Sequence, residues 1–156
     1  RTVARTRTRG DGTFSALAAP PGRRLLRASF SGGASGRPAT SASLLVRVRA
    51  ALTARANAAV VAVGEKAVVG GTVGPAKPRV AVIVERRVNG RYRRVATLRA
   101  RAAAGRYTKG YRPRSPGVYR FRAVFGGDRQ NLAGRSGFAV VRAVAQTGGA
   151  SPAYGR

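Results

Sequence analysis

The sequence predicts an all-β protein built as an antiparallel β-sandwich, and three observations support this. Residues 80–98 hold two β-rich runs joined across Asn89-Gly90. Asn-Gly between alternating apolar runs is a strong hairpin signal, because both central residues of a type I′ turn need a positive φ. Short apolar runs alternate with turn residues over 66–144, the spacing typical of a sandwich. The second half of this pattern also occurs near the N-terminus, which indicates a repeat.

The complete pattern begins with a junction and two strands. Residues 50–59 have high helix propensity but no 3.6-residue apolar face, so they are interpreted as a junction with an edge strand. Residues 66–73 are predicted as a strand that ends at the Pro-bounded turn 74–78. Valines alternate through 80–84, and they therefore share one face of the next strand.

The second half of the pattern contains a predicted irregularity. Tyr92 and Val95 lie three residues apart, where a regular strand would put them on opposite faces, and this predicts a β-bulge. Residues 105–112 are predicted as a strand, 113–117 as a turn and 118–125 as a further strand. The strands therefore follow one another in an order suited to an antiparallel sandwich.

The repeat sets the predicted domain boundaries. Residues 27–30 (Arg-Ala-Ser-Phe) match 122–125 (Arg-Ala-Val-Phe), and the turns and aromatic residues around them keep their order. Residues 1–49 are therefore predicted to be a partial repeat holding only the C-terminal strands, and 50–145 a complete one. Residues 146–156 are predicted to be a flexible linker.

The charge balance predicts an anionic partner. The chain of 156 residues has 31 Lys plus Arg against 4 Asp plus Glu, a formal net charge of +27. Such a charge attracts nucleic acid, anionic cell-wall polymers or acidic lipid surfaces. The alternative explanation of the arginine excess is the codon supply of a GC-rich genome. Whichever of these explains the arginines, the chain has the same positive electrostatic field.

The residue types exclude several kinds of chemistry. The chain has no Cys and no His, so disulfides, thiolate nucleophiles and imidazole catalysis are excluded, and a typical zinc site is too. Its few carboxylates fall at predicted turns or strand surfaces. We therefore expect no catalytic residues, metal site, cofactor or small-molecule substrate, and any enzymatic domain would belong to another part of a longer protein. No apolar run reaches the length of a transmembrane helix.

The basic residues form the candidate binding site. Several crowd one arm of the predicted hairpin and two more lie on one face of a later strand, so adjacent faces would form a cationic surface. This predicted polyanion-binding set consists of Arg91, Arg93, Arg94, Arg99, Arg101, Arg120 and Arg122. The alternative is a set of solvated strands whose charges prevent edge-to-edge aggregation. The aromatic residues are expected on the core face, so binding by charge alone is predicted, without base stacking.

The segment Ser115-Pro-Gly-Val-Tyr-Arg-Phe121 resembles the pattern that leads into strand F of immunoglobulin-fold domains. In that resemblance Tyr119 takes the place of the corner tyrosine, whose hydroxyl bonds back to the preceding loop, and Phe121 takes the place of the cysteine. Gly117 precedes them, and Asn89 and Gly90 form the hairpin turn. The resemblance fails at Arg24, which replaces the tyrosine in the partial repeat.

With these motifs the chain resembles the tandem bacterial Ig-like domain repeats of secreted and cell-envelope proteins. The resemblance implies a non-catalytic extracellular spacer or adhesion module at the cell wall, with neighbouring domains in the same chain and affinity for anionic wall polymers. The chain begins at Arg1, and we expect it to be a fragment of a longer protein. The alternative function is a dedicated polyanion- or nucleic-acid-binding protein.

Overall fold

The computed structural model describes residues 2–33 and 36–146, and within them it contains β-strands and no helix. The prediction of an all-β protein is therefore confirmed. The described chain forms two compact units. Unit 1 contains the residues up to Arg49 together with 127–133, and unit 2 contains 50–126 together with the described residues from Gly134 onward. The predicted linker lies outside the described residues except for Gln146.

The strands are short in unit 1 and long at the centre of unit 2. In chain order they are β1 Arg24–Leu26, β2 Ser29–Phe30, β3 Ala39–Thr40, β4 Leu44–Val46, β5 Val48–Arg49, β6 Ala51–Leu52, β7 Arg55–Ala56, β8 Val60–Ala62, β9 Ala67–Gly74, β10 Arg79–Val88, β11 Arg91–Ala103, β12 Arg106–Tyr111, β13 Gly117–Phe125, β14 Asn131–Leu132, β15 Gly134–Arg135 and β16 Ala139–Val144.

Unit 2 is one sheet of order β6-β9-β12-β11-β10-β13-β16-β8, with β7 also on β9 and β15 also on β13. Its central hairpin joins β10 to β11 through Asn89 (φ 48°) and Gly90 (φ 76°), as the Asn-Gly signal predicts. The predicted bulge is also confirmed. Val84 pairs with Ala96 and Glu85 with Arg94, so Val95 is the extra residue. Because of this bulge, the even-numbered residues of β11 point to one face of the sheet before Val95 and to the other face after it.

The core of unit 2 lies inside a curled sheet. The valines of β10 at 80, 82 and 84 are buried with Val69 of β9 and Phe121 of β13. The ring of Tyr111, on β12, lies 5.9 Å from that of Tyr119 and 6.0 Å from that of Phe121. Because β12 and β13 are separated in the sheet by β11 and β10, these contacts show that the β12 and β13 parts of the sheet face each other across the core. The sheet therefore has an inner, buried face and an outer face.

In unit 1 the backbone pairs β1 with β4 and β2 with β3. The register of the first pair, Arg24 with Val46, recurs 95 residues later as Tyr119 with Val141. The remaining four residue pairs of these strands are also reproduced in unit 2 at the same offset, by β13 with β16 and β13 with β15. The two units thus share a pattern of strand pairing.

The segment 127–133 belongs to unit 1, although the sequence interpretation placed it inside the complete repeat. Its strand β14 pairs in parallel with β5. The buried Asn131 donates from Nδ2 to the carbonyl oxygen of Pro21 at 3.1 Å, and Arg49 donates to that of Ala133 at 2.8 Å. These contacts have no sequence signal, because they join residues more than 80 positions apart.

Candidate functional site

The outer face of the unit 2 sheet is strongly cationic. In antiparallel pairing, directly opposite residues carry their side chains on the same face. The register around β10 therefore places nine arginines on the face opposite the core, namely Arg79, Arg87, Arg94, Arg99, Arg101, Arg120, Arg122, Arg135 and Arg142. Among the described strand residues of this face, Glu85 is the one with a carboxylate side chain. We call this surface the arginine face.

Five of the seven predicted arginines belong to the arginine face, and two do not. Arg91 pairs with Val88 and Arg93 with Arg86, so both point to the inner side of the sheet, beyond the end of the core. The expectation that all of the hairpin arginines share one surface is therefore wrong. The reason is the bulge at Val95. In a regular strand Arg91 and Arg93 would share a face with Arg99 and Arg101, and the extra residue turns them to the opposite face. Sequence reasoning missed the face's other four arginines, although strand alternation would have found Arg79 and Arg87.

Two aromatic rings interleave with arginines on this face. The guanidinium carbon of Arg120 lies 3.9 Å from the ring centroid of Tyr92 and 4.0 Å from that of Phe138. The guanidinium carbon of Arg122 lies 3.8 Å from the centroid of Phe138. Arg120 Nε also donates to Glu85 Oε2 at 2.5 Å. Cation–π contact and ion pairing thus hold Arg120 in one orientation.

The expectation that the aromatic residues fall on the core face is wrong for Tyr92 and Phe138. Tyr92 pairs with Arg87, which is on the outer face, and Phe138 is 39% exposed. Both rings are nevertheless in contact with guanidinium groups of their own chain. The ring surface covered in this way is closed to a nucleic-acid base, so these aromatics orient arginines.

The residues carried over from the resemblance occupy the end of the core. Tyr119 Oη donates to the carbonyl oxygen of Ser115 at 2.9 Å, which is a bond back to the preceding loop. Phe121 is 1% exposed. Gly117 has φ 140°, and a Cβ there would lie 3.3 Å from Arg86 Nε. Arg86 donates from Nη2 to the carbonyl oxygen of Pro116 at 2.8 Å. Glycine thus allows the guanidinium of Arg86 to approach the turn.

A second buried tyrosine, Tyr107, belongs to the Gly105-Arg-Tyr107 motif of the resemblance, and the sequence interpretation gave it no role of its own. Tyr107 Oη donates to the carbonyl oxygen of Thr53 at 2.5 Å, and burial raises the pKa of Tyr107 to about 12. A Cβ at Gly71 would collide with the Thr53 carbonyl and the Tyr107 hydroxyl, which explains a glycine in the middle of β9. The Gly-Arg-Tyr of 105–107 has the same spacing as Gly-Val-Tyr at 117–119, and this was the available signal.

The carboxylate of Asp11, in unit 1, is bonded within its own turn. The backbone N–H and hydroxyl of Thr13 bond to Asp11 Oδ1 at 2.9 and 2.7 Å, and these bonds hold the pKa of that carboxyl below its usual value. Within 2–33 and 36–146, no group of three or more Cys, His, Asp or Glu side chains could hold a metal ion. The same residues include no helix that could cross a membrane.

Compared with protein-family models and with curated protein sequences, the chain gives no match to either.

Proposed function

We propose that this chain is a non-catalytic Ig-like module whose arginine face binds anionic polymers of the cell wall. In this proposal unit 2 is an Ig-like sandwich and a complete repeat, preceded by the C-terminal strands of another. The shared register at an offset of 95 residues supports the repeat. The bond from Tyr119 to Ser115 supports the Ig-like assignment, since it matches the corner tyrosine of that fold.

The observation that carries the proposal is the spread of nine arginines over one sheet face. Alternate residues of a strand are about 6.7 Å apart and neighbouring strands about 4.8 Å apart, so the guanidinium groups form an array. An array of separate cations suits a polymer with many anionic groups, whereas a small anion needs donors that converge in a cavity. Arg120 is already held by Tyr92, Phe138 and Glu85, which lowers the entropy lost on binding.

Wall polymers are favoured over nucleic acid because of the rings. Single-stranded nucleic acid binds proteins through aromatic platforms on which bases stack. Here Tyr92 and Phe138 are engaged by Arg120 and Arg122. The extracellular setting, the spacer or adhesion role and the neighbouring domains in the same chain follow from the resemblance to envelope proteins, and they are part of the proposal.

A dedicated nucleic-acid-binding protein is the second candidate, and Phe138 favours it. This ring is partly exposed among the arginines. If its contact with Arg122 opened, a base could replace the guanidinium. Phe138→Leu would then weaken binding of single-stranded DNA by about 10-fold, in line with 1–3 kcal/mol for one stacked base. Binding of wall teichoic acid would change much less.

The test is a salt titration of binding to wall teichoic acid, duplex DNA and single-stranded DNA. The protein is compared with two double variants that remove the same charge from the same strand, Arg94→Ser with Arg99→Ser on the arginine face and Arg91→Ser with Arg93→Ser on the other. We expect the first pair to weaken binding more for every polymer. It should also reduce the log–log salt slope on duplex DNA by about 0.9 for each phosphate that the variant no longer neutralises.

Equal losses of affinity in the two double variants would show that no particular face binds. Tight binding of single-stranded DNA that persists at high salt, and is abolished in Phe138→Leu, would replace the wall-polymer proposal with the nucleic-acid one. Loss of binding to teichoic acid alone would instead point to a specific receptor for that polymer.

A further inference from the structure

Strand β16 of unit 2 is covered along one edge and half covered along the other. On the first edge β13 pairs with residues 139–143. On the second edge β8 pairs in parallel with residues 142–144. Among the described residues no strand pairs with 139–141 on that second edge. The first half of β16 therefore has an open edge.

This edge is open because the chain before β8 crosses from one strand to another at Ala58. The N–H of Asn57 donates to the carbonyl oxygen of Val68 at 2.9 Å, so the chain still runs beside β9 at that point. Two residues later the carbonyl oxygen of Ala59 accepts from the N–H of Arg142 at 2.8 Å, at the start of the β8 pairing. The segment that covers 142–144 thus arrives too late to cover 139–141.

The crossing leaves a groove of about 380 Å³ beside the open edge, lined by 54–59 and 138–140. The N–H of Arg142 points toward β8, and backbone groups alternate in direction along a strand. The N–H and carbonyl oxygen of Val140 therefore point to the same side, into the groove. An edge with unpaired backbone groups is a template for another strand.

Guanidinium groups lie beside this groove. The ring of Phe138, which lines it, has the guanidinium carbon of Arg120 at 4.0 Å and that of Arg122 at 3.8 Å. Arg120 is paired with Glu85, whereas the described part of the chain provides no carboxylate partner for Arg122. Arg55 lines the groove from β7 and is exposed. Charge complementarity therefore favours an occupant with carboxylates.

The groove also has apolar positions. Val140 is 53% exposed on the outer face, and Ala56 and Ala58 are half-buried on the side of β7. Ala139 is buried and points to the core. An added strand would therefore have one row of side chains on the outer face, near the guanidinium groups, and the other row toward the core, where small apolar side chains fit.

We propose that residues 138–141 accept an extended acidic strand from a partner polypeptide, in antiparallel order, by β-augmentation. The partner residue opposite Val140 exchanges two backbone hydrogen bonds with it. That residue has its side chain on the outer face, so it is Asp or Glu and lies near Arg122. Its neighbours point toward the core and are small and apolar. The inference depends on a backbone edge, whereas polymer binding by the arginine face depends on charge alone.

A second copy of this chain is a poorer occupant. Antiparallel pairing of two such edges at Val140 would place Arg142 of one copy opposite Phe138 of the other, beside the guanidinium of Arg122. Like charges on facing strands repel. An acidic strand instead adds carboxylates to a surface with an excess of cations.

The experiment uses the full chain and three synthetic peptides. The first alternates Val and Glu, the second has the same composition with its Glu residues in one block, and the third is the first with its Glu amides N-methylated. Fluorescence anisotropy measures binding, and hydrogen exchange locates it. We expect the alternating peptide to bind about 10-fold more tightly than the other two, because only its backbone and side chains both fit the edge. It should slow exchange of the Val140 amide.

The matched variants are Val140→Pro and Val140→Ala. Both replace the same exposed side chain, but only proline removes the N–H on the open edge. We expect Val140→Ala to bind the alternating peptide within about 3-fold of the original chain. Val140→Pro should bind it about 10-fold more weakly. The N–H of Val141 points to β13, so slow exchange of that amide in both variants would show that β16 remains paired.

Equal binding of the alternating and N-methylated peptides would overturn the proposal whether or not Val140→Pro folds. Equal binding of the alternating and block peptides, or by two folded variants, would overturn it as well, since charge alone would then explain the affinity. Slow exchange of the Val140 amide in the free chain would show that this chain already fills the edge. If that protection depended on concentration, the occupant would be a second copy.

Discussion

The strand pairs β1–β4 and β13–β16 have the same register and very different surroundings. Tyr119 with Val141 in unit 2 corresponds to Arg24 with Val46 in unit 1. Val141 is fully buried, whereas Val46 is only half-buried. In unit 2, β10 pairs with β13 and β12 faces it across the core. In unit 1 the described residues provide no such cover.

In these two strand pairs the register of the backbone and the burial of the side chains have separate origins. Register is set locally, since each unit has a serine hydroxyl that accepts from the strand opposite it. Burial is set by strands that come from elsewhere in the chain. Two-stranded sheets are marginal in water without such cover, because backbone hydrogen bonds alone give little net stability.

The largest expected difference is in independent folding. Residues 50–146 contain the whole sheet of unit 2 and should unfold in one cooperative transition when expressed alone. Residues 1–49 should not, because their strands are short and their leucines exposed. Circular dichroism during heating measures both. A cooperative transition in the 1–49 piece would show that unit 1 needs no cover.

A matched pair of substitutions refines the same contrast. Val141→Ala removes two buried methyl groups and leaves a cavity, so it should lower the free energy of unfolding by about 2 kcal/mol. Val46→Ala makes the same chemical change at the equivalent position, and there we expect less than about 1 kcal/mol, because Val46 is only half-buried. Urea denaturation of the two variants checks this, and equal losses of stability would contradict the comparison.

The fold was predictable where one local signal decides the backbone. Asn-Gly gives the β10–β11 turn because only residues tolerating positive φ fit there. The spacing of Tyr92 and Val95 gives the bulge, since it conflicts with a period of two. The contacts of Asn131 had no such signal, because they depend on how distant segments come together.

The candidate site was predictable in its charge and less so in its geometry. Counting arginines identifies a cationic strand but not the face of each residue. The bulge at Val95 turns Arg91 and Arg93 away from the face of Arg99 and Arg101, which a simple period of two along β11 does not predict. Phe138 lies just before a strand, so period-two patterning could not place its ring over Arg122.

The smallest expected effect concerns Tyr107, whose hydroxyl bonds to the Thr53 carbonyl inside unit 2. The pKa of this phenol is raised by burial from 10.0 to about 12. Between pH 10 and 12 the unfolded chain therefore loses this proton while the folded chain keeps it. The unfolded state then binds fewer protons, and the free energy of unfolding falls as pH rises through this range.

Tyr107→Phe removes both the hydrogen bond and this titration. At pH 7 we expect the variant to be less stable by about 1 kcal/mol, the net value of one hydrogen bond. Above pH 10 the free energy of unfolding should fall faster for the original protein than for Tyr107→Phe. The difference in stability between these two proteins should therefore shrink toward pH 12. Urea denaturation at about pH 7, 10 and 11.5 measures this. A constant difference across the three values would mean that the hydroxyl ionises equally in both states, and the buried bond to Thr53 would then not be present in solution.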